Sequence, residues 1–237
     1  MIRIAAIADL HCREECPSRY RDWYRALNDE ADVFILGGDL THLGKADEAR
    51  SLAAELSVVR IPVLAVLGNH DVHVDRVQEL KTILRDAGVW ILDDGTYRLT
   101  VNGHEVGFAG GKGFGGGFGT TCLTPFGETP LKAFIHETMN EANKLERGLT
   151  ELNSKYRVVV LHYAPVRDTL AGEPTELYPF LGSSLLCDPI DRLGADLILH
   201  GHAHHGVQIG QTEKGIPVRN VAQPVLKKYY IVYELGC

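Results

Sequence analysis

Residues 2–11 read IRIAAIADLH: an apolar run of Ile and Ala that stops at Asp9-Leu10-His11. A short buried strand that ends in acid and imidazole is the reading from which the fold follows, and the pattern recurs downstream. VFILG (33–37) ends in Gly38-Asp39, VLAVL (63–67) in Gly68-Asn69-His70-Asp71, VVVL (158–161) in His162, and DLILH (196–200) continues into Gly201-His202-Ala203-His204. Between the first three runs lie amphipathic stretches expected to be helical, so the first third reads β-α-β-α-β-α, the signature of a parallel sheet with right-handed crossovers. In an open α/β sheet the carboxyl ends of the strands form the ligand crevice. These polar groups are therefore expected to converge on one rim.

Further Val- and Ile-rich runs predict strands at 89–92, 97–101, 105–109, 206–209, 218–221 and 229–234. Helices are expected over 18–28, 45–58, 74–86, 130–152 and 185–193. Pro130 suits a first helical turn. The last forty residues carry strands at close spacing with turn residues between them, which predicts a more antiparallel segment. No linker divides residues 1–237, and one domain is expected.

The formal charge is −7, with no long basic run. That argues against coating of long nucleic acid, which depends on phosphate neutralisation by Lys and Arg. It does not argue against a small anionic substrate, because a bound cation can reverse the local field. The start of the chain does not read as a signal peptide, and no membrane span is expected. Five scattered cysteines, Cys12, Cys16, Cys122, Cys187 and Cys237, point to reduced thiols and a cytoplasmic location.

The strand-end groups are Asp, Asn and His. Such donors suit Mn, Fe, Zn or Co, and the set lacks the thiolates of a structural zinc site. Seven donors exceed one tetrahedral ion and fit two divalent ions sharing a carboxylate, an arrangement common in phosphatases and nucleases.

Taken in order, Asp9-Leu10-His11, Gly38-Asp39, Gly68-Asn69-His70-Asp71, His162 and Gly201-His202-Ala203-His204 resemble the motif set of the calcineurin-like metallophosphoesterase superfamily. The resemblance implies an α/β fold, a β-sandwich of two mixed sheets flanked by helices in four αββα layers. It implies that Asp9, His11 and His204 hold one metal, that Asn69, His162 and His202 hold the other, and that Asp39 bridges them. It implies that His70 stands over the substrate phosphate as a catalytic group, oriented by Asp71. The expected chemistry is attack on a phosphodiester, or also a phosphomonoester, by a hydroxide bridging the two ions. Where family protein phosphatases carry Asp-Arg-Gly and purple acid phosphatases a Tyr ligand, this chain has Leu40-Thr41-His42. It is more similar to the small bacterial-type branch that includes phosphodiesterases. The alternatives are a scaffold of this fold without catalysis, and a nuclease.

The glycine-rich stretch 110–119 matches GxGxxG, but no helix is expected to open there, so the dinucleotide context is missing. It reads either as a flexible surface loop or as a mobile lid, in which Lys112 meets phosphate while Phe114 and Phe118 stack on a nucleotide-like substrate. His42, His73, His104, His136 and His205 fall outside the motif set and read as surface or supporting residues. His200 reads as supporting the site from a buried strand end.

Overall fold

In the computed structural model, which describes residues 1–15 and 20–236, the opening apolar run forms β1 (Ile2–Ile7). It is followed by α1 (Arg21–Glu30), β2 (Val33–Gly37), α2 (Ala46–Leu56), β3 (Val63–Val66), α3 (Val77–Asp86) and β4 (Val89–Ile91). The four strands pair in parallel in the order β1-β2-β3-β4, as the alternation predicts. Cys16, Cys237 and the start of the helix expected from residue 18 lie outside the described residues.

A second sheet begins with β5 (Tyr97–Val101) and β6 (His104–Gly111), an antiparallel pair. The long helix α4 (Thr129–Glu151), with proline in its first turn, leads to β7 (Tyr156–Leu161). After it come α5 (Tyr178–Leu181), α6 (Cys187–Leu193), β8 (Leu197–His200), β9 (Ile209–Gln211) and β10 (Pro217–Asn220). The sheet order is β5-β6-β7-β8-β10-β9, with β6, β7, β8 and β10 parallel and both edge strands antiparallel. The short helix α7 (Gln223–Leu226) precedes β11 (Ile231–Leu235), which returns to the first sheet and runs antiparallel to β1. The antiparallel character expected of the last forty residues is thus real for β9 and β11, while β10 joins β8 in parallel.

The two sheets are stacked. Alternation along β1 and β2 sends Ile2, Ile4, Val33 and Ile35 to one face, where they meet Val106, Phe108, Val158, Val160, Leu197 and Leu199 of the second sheet. The other face of the first sheet, with Ala5, Ile7, Phe34 and Leu36, packs on Tyr24, Leu27, Leu52, Leu80 and Leu84 from α1 to α3. The outer face of the second sheet packs Val159 and Ile198 against Leu145, Leu149 and Ile190 of α4 and α6. Strands buried on both faces read as unbroken apolar runs, which is why the sequence shows them so plainly. The result is the four-layer αββα sandwich, two mixed sheets flanked by helices. Among the described residues, no helix is long and apolar enough to cross a membrane.

Candidate metal centre

The loops that leave β1, β2, β3, β7 and β8 meet at one edge of the sandwich. They are knitted by backbone hydrogen bonds: Asp9 N–H donates to the Gly38 carbonyl (2.9 Å), His11 N–H to Asp39 (2.9 Å), Cys12 N–H to Leu40 (3.0 Å) and Gly201 N–H to His162 (3.1 Å). Asp9, His11, Asp39 and His202 all adopt positive φ, between 45° and 69°. Each such residue costs about 1–2 kcal/mol relative to the right-handed region. Strain of this kind, held by surrounding hydrogen bonds, aims side chains at one point and is typical of functional sites.

Close approach also explains the glycines that precede these groups. A Cβ on Gly68 would fall on the Asp39 carboxylate, and one on Gly201 on the carboxylate of Asp9. The recurring Gly before Asn69 and His202 therefore makes room for a carboxylate from a different strand.

The structure gathers the expected residues into two adjoining groups. Potential ligand atoms of Asp9, His11 and His204 lie within 4.8 Å of one another, and so do those of Asp39, His162 and His202. Asn69 joins the second group, its Oδ1 3.0 Å from His162 Nε2. Asp39 lies between the groups. Its Oδ1 is 3.3 Å from His162 Nε2, and its Oδ2 is 3.8 Å from His11 Nε2.

These residues fit divalent cations. Both ring nitrogens of His11 are buried without a hydrogen-bond partner among the described residues, a costly arrangement for two polar atoms unless something else takes them up. Burial lowers the pKa of His11 and pushes His202 down to about 3, which keeps both rings neutral and their lone pairs available. Burial alone would raise Asp9, but its bond from His204 Nε2 (2.9 Å) and the surrounding imidazoles hold it below the ordinary carboxylate range. His162 donates Nδ1–H to the Gly37 carbonyl (3.0 Å), so that Nε2, which faces Asn69 and Asp39, carries the lone pair. Such a carbonyl partner is the usual outer support of a metal-binding histidine.

His70 lies at the same edge, with its backbone N–H on Asp39 Oδ1 (2.9 Å) and its Nε2 3.9 Å from Asp39 Oδ2. Its orientation does not come from Asp71 as the resemblance implies. His70 Nδ1–H donates to the backbone carbonyl of His42 (2.7 Å). The fully buried Asp71 carboxylate instead accepts from Thr41 N–H (2.8 Å), the Thr41 hydroxyl (2.6 Å), Leu40 N–H (3.1 Å) and Gly68 N–H (2.9 Å). It clamps the β2 and β3 loops together. Burial, with the Asp39 charge, pushes Asp71 up to about 6 against the pull of those donors.

His42 is closer to the centre than a surface residue would be: its ring shares a group with those of His11 and His70. Its place three residues after Asp39 is the sequence signal that points there. His200 supports the site as expected, fully buried with Nδ1–H on the Gly201 carbonyl and Nε2 2.8 Å from the Thr169 hydroxyl oxygen.

The glycine-rich stretch is tied into the fold at several points. Gly110 and Gly111 belong to β6, paired with Val160 and Leu161. The rest is anchored: Gly113 N–H donates to Glu141, Gly116 N–H to the Pro179 carbonyl, and Gly117 N–H to that of Gly182. The Lys112 amine donates to the Gly113 carbonyl and sits 4.6 Å from the Phe114 ring centre, its pKa lowered by burial. Phe114 borders a cavity beside Asn69 and His202. Phe118 does not line that cavity; it packs on Ala164, Leu170 and Ala203, with its ring edge-on to Tyr178.

Comparison with known proteins agrees with this geometry. The family model described as calcineurin-like phosphoesterase matches residues 2–206. A probable cyclic nucleotide phosphodiesterase of Ruthia magnifica subsp. Calyptogena magnifica is 26% identical over 194 residues, 79% of this chain and 68% of its own length. Purple acid phosphatase 4 of Arabidopsis thaliana is 28% identical over 150 residues, 60% of this chain and 41% of its own. The structure of a phosphopantetheinyl hydrolase from Mycobacterium tuberculosis superposes with a TM-score of 0.73 at 16% identity, covering 98% of this chain and 96% of that one. At that identity the likeness is one of fold alone.

Proposed function

This chain belongs to the calcineurin-like phosphoesterase family and is a phosphoric ester hydrolase, and we propose that it is a two-metal phosphodiesterase acting on small, nucleotide-like diesters. The observation that carries the reading is Asp39, whose two carboxylate oxygens face different histidine groups. Asp9, His11 and His204 would hold one divalent cation, Asn69, His162 and His202 a second, with Asp39 shared. Bound there, the cations would supply positive charge to the phosphoryl oxygens and a nucleophile at neutral pH.

The chain's own residues do the rest. With Nδ1–H committed to the His42 carbonyl, a proton for the departing alkoxide has to sit on His70 Nε2, the atom that faces Asp39 across the centre. Asp71 fixes the two loops that carry Asp39 and His70 relative to each other. The His162 ring, held through Nδ1, keeps Nε2 turned toward Asp39 and Asn69.

Charge favours a diester over a monoester. A monoester dianion needs more compensating positive charge, often from the fork of an Arg. Among the described residues no Arg or Lys lines the cavity beside Asn69 and His202, and the Lys112 amine is spent on Gly113 and two rings. The 26% identical relative carries a phosphodiesterase description. The test is kcat/KM for paired aryl mono- and diesters, with Mn, Fe, Zn, Co and Mg each supplied in turn. The diester is expected to be hydrolysed at least as well. A monoester preference above about tenfold, about 1.4 kcal/mol of transition-state discrimination, would overturn the assignment.

A further inference from the structure

The cavity beside the metal centre has a definite chemical character. It measures about 390 Å³ and is lined by Phe114, Phe134, Tyr163, Leu177, Phe180 and Leu181, with Gly115, and with Asn69 and His202 at its inner end. Its rings form a continuous wall. Phe180 is edge-on to Phe134 (6.1 Å between centres), Phe134 tilts on Phe114 (4.8 Å), Phe114 on Tyr163 (5.5 Å), and Tyr163 on His202 (4.4 Å). Two members are left exposed at the mouth: Phe180 at 59% and Leu177 at 45%. The wall is tied to the centre, because His202 Nε2–H donates to the Phe180 carbonyl (3.2 Å).

We infer that this cavity is a subsite for an uncharged aromatic ring on the substrate's ester group. The inference rests on the phosphodiesterase reading and names the substrate feature which that reading leaves open. Three observations carry it. The cavity is continuous with Asn69 and His202, so a group seated in it is attached to whatever binds at the centre. Among the described residues no Asp, Glu, Lys or Arg lines it, so neither a second phosphate nor a carboxylate or ammonium group would find a partner there. Its walls are built largely of aromatic rings, which reward a flat aromatic partner beyond simple burial. An acyclic diester has two organic groups. His70 stands with His11 and His42, whereas the cavity adjoins Asn69 and His202. One organic group would therefore depart beside His70 while the other rests on the aromatic wall. A monoester has no second group to fill this space.

The experiment compares two diesters with the same leaving group, phenyl p-nitrophenyl phosphate and methyl p-nitrophenyl phosphate. Wild-type kcat/KM should favour the phenyl ester by about tenfold or more, and Phe180→Ala or Leu177→Ala should cut that ratio at least about threefold. Both side chains are half exposed, so neither change threatens the fold. Alongside, 4-fluorobenzyl alcohol is titrated into metal-free protein and followed by fluorine NMR. Its line should broaden with wild type and broaden less with each variant. A phenyl-to-methyl ratio near one with no broadening overturns the subsite while leaving hydrolysis intact. Broadening lost in both variants, with neither ester turned over, supports the subsite and tells instead against the phosphodiesterase reading.

Discussion

Gly68→Ala is the substitution for which the structure makes the sharpest demand. The backbone at Gly68 is not in the left-handed region, so alanine is sterically allowed there in isolation, and fewer unfolded conformations would by themselves stabilise by about 0.4–1 kcal/mol. The obstacle is Asp39: the new methyl would overlap its Oδ1 and backbone nitrogen and come within 2.8 Å of its Cγ, against an ordinary carbon contact of about 3.5 Å or more. Asp39 cannot retreat freely, because its carbonyl and Oδ1 hold the backbone N–H groups of His11 and His70. Overpacking of a tight site costs about 1–3 kcal/mol, so the net loss should be about 1–2 kcal/mol, or roughly 2–8 °C in Tm for a chain of this size. Gly215→Ala is the control. It has open space around its Cβ but a φ of +79°, so it should lose a similar amount of stability through strain alone. The two differ at the centre: Gly68→Ala should weaken metal binding through the displaced Asp39, and Gly215→Ala should not. Calorimetry on metal-free protein gives the stability, and equilibrium dialysis against Mn gives the binding. If Gly68→Ala melts like wild type and binds metal equally well, the crowding of Asp39 is refuted.

Two further outcomes follow from the same geometry. His70→Ala should lower turnover by about 10²–10⁴, the span of a lost general acid, with metal content intact, whereas Asn69→Ala or His202→Ala should reduce metal content; emptying of the site by His70→Ala would contradict this division of roles. The Asp71 carboxyl is pushed up to about 6 in the folded metal-free protein, so the folded state holds that proton more tightly than the unfolded chain. Its contribution to stability is then fully present below the unfolded pKa and fades as pH rises through about 6. Asp71→Asn should flatten that part of the pH–stability curve of metal-free protein, and an unchanged slope would show that Asp71 is not its source.

Much of the fold is legible in the sequence because burial makes strands conspicuous. β2 and β5 match the apolar runs 33–37 and 97–101 end to end, and the polar groups at the ends of β1, β2, β3, β7 and β8 do converge. What stays hidden depends on backbone partners rather than residue type. That His70 is held by a carbonyl of residue 42, and not by Asp71, has no signature in side-chain identity. β9 comes at Ile209–Gln211 rather than 206–209, because Gly206 and Val207 donate to Ala203 and Thr169 before the strand can pair. The aromatic wall is equally invisible in the sequence. Phe134, Tyr163 and Phe180 come from a helix, a strand end and a four-residue helix, with no common period to connect them.

Two cations sharing Asp39 are the central claim. The direct test is metal analysis of protein reconstituted with Mn or Zn and freed of excess ion. Near two ions per chain are expected for wild type, with a clear fall for Asp39→Asn. A single ion at saturation, unchanged by Asp39→Asn, would contradict the claim.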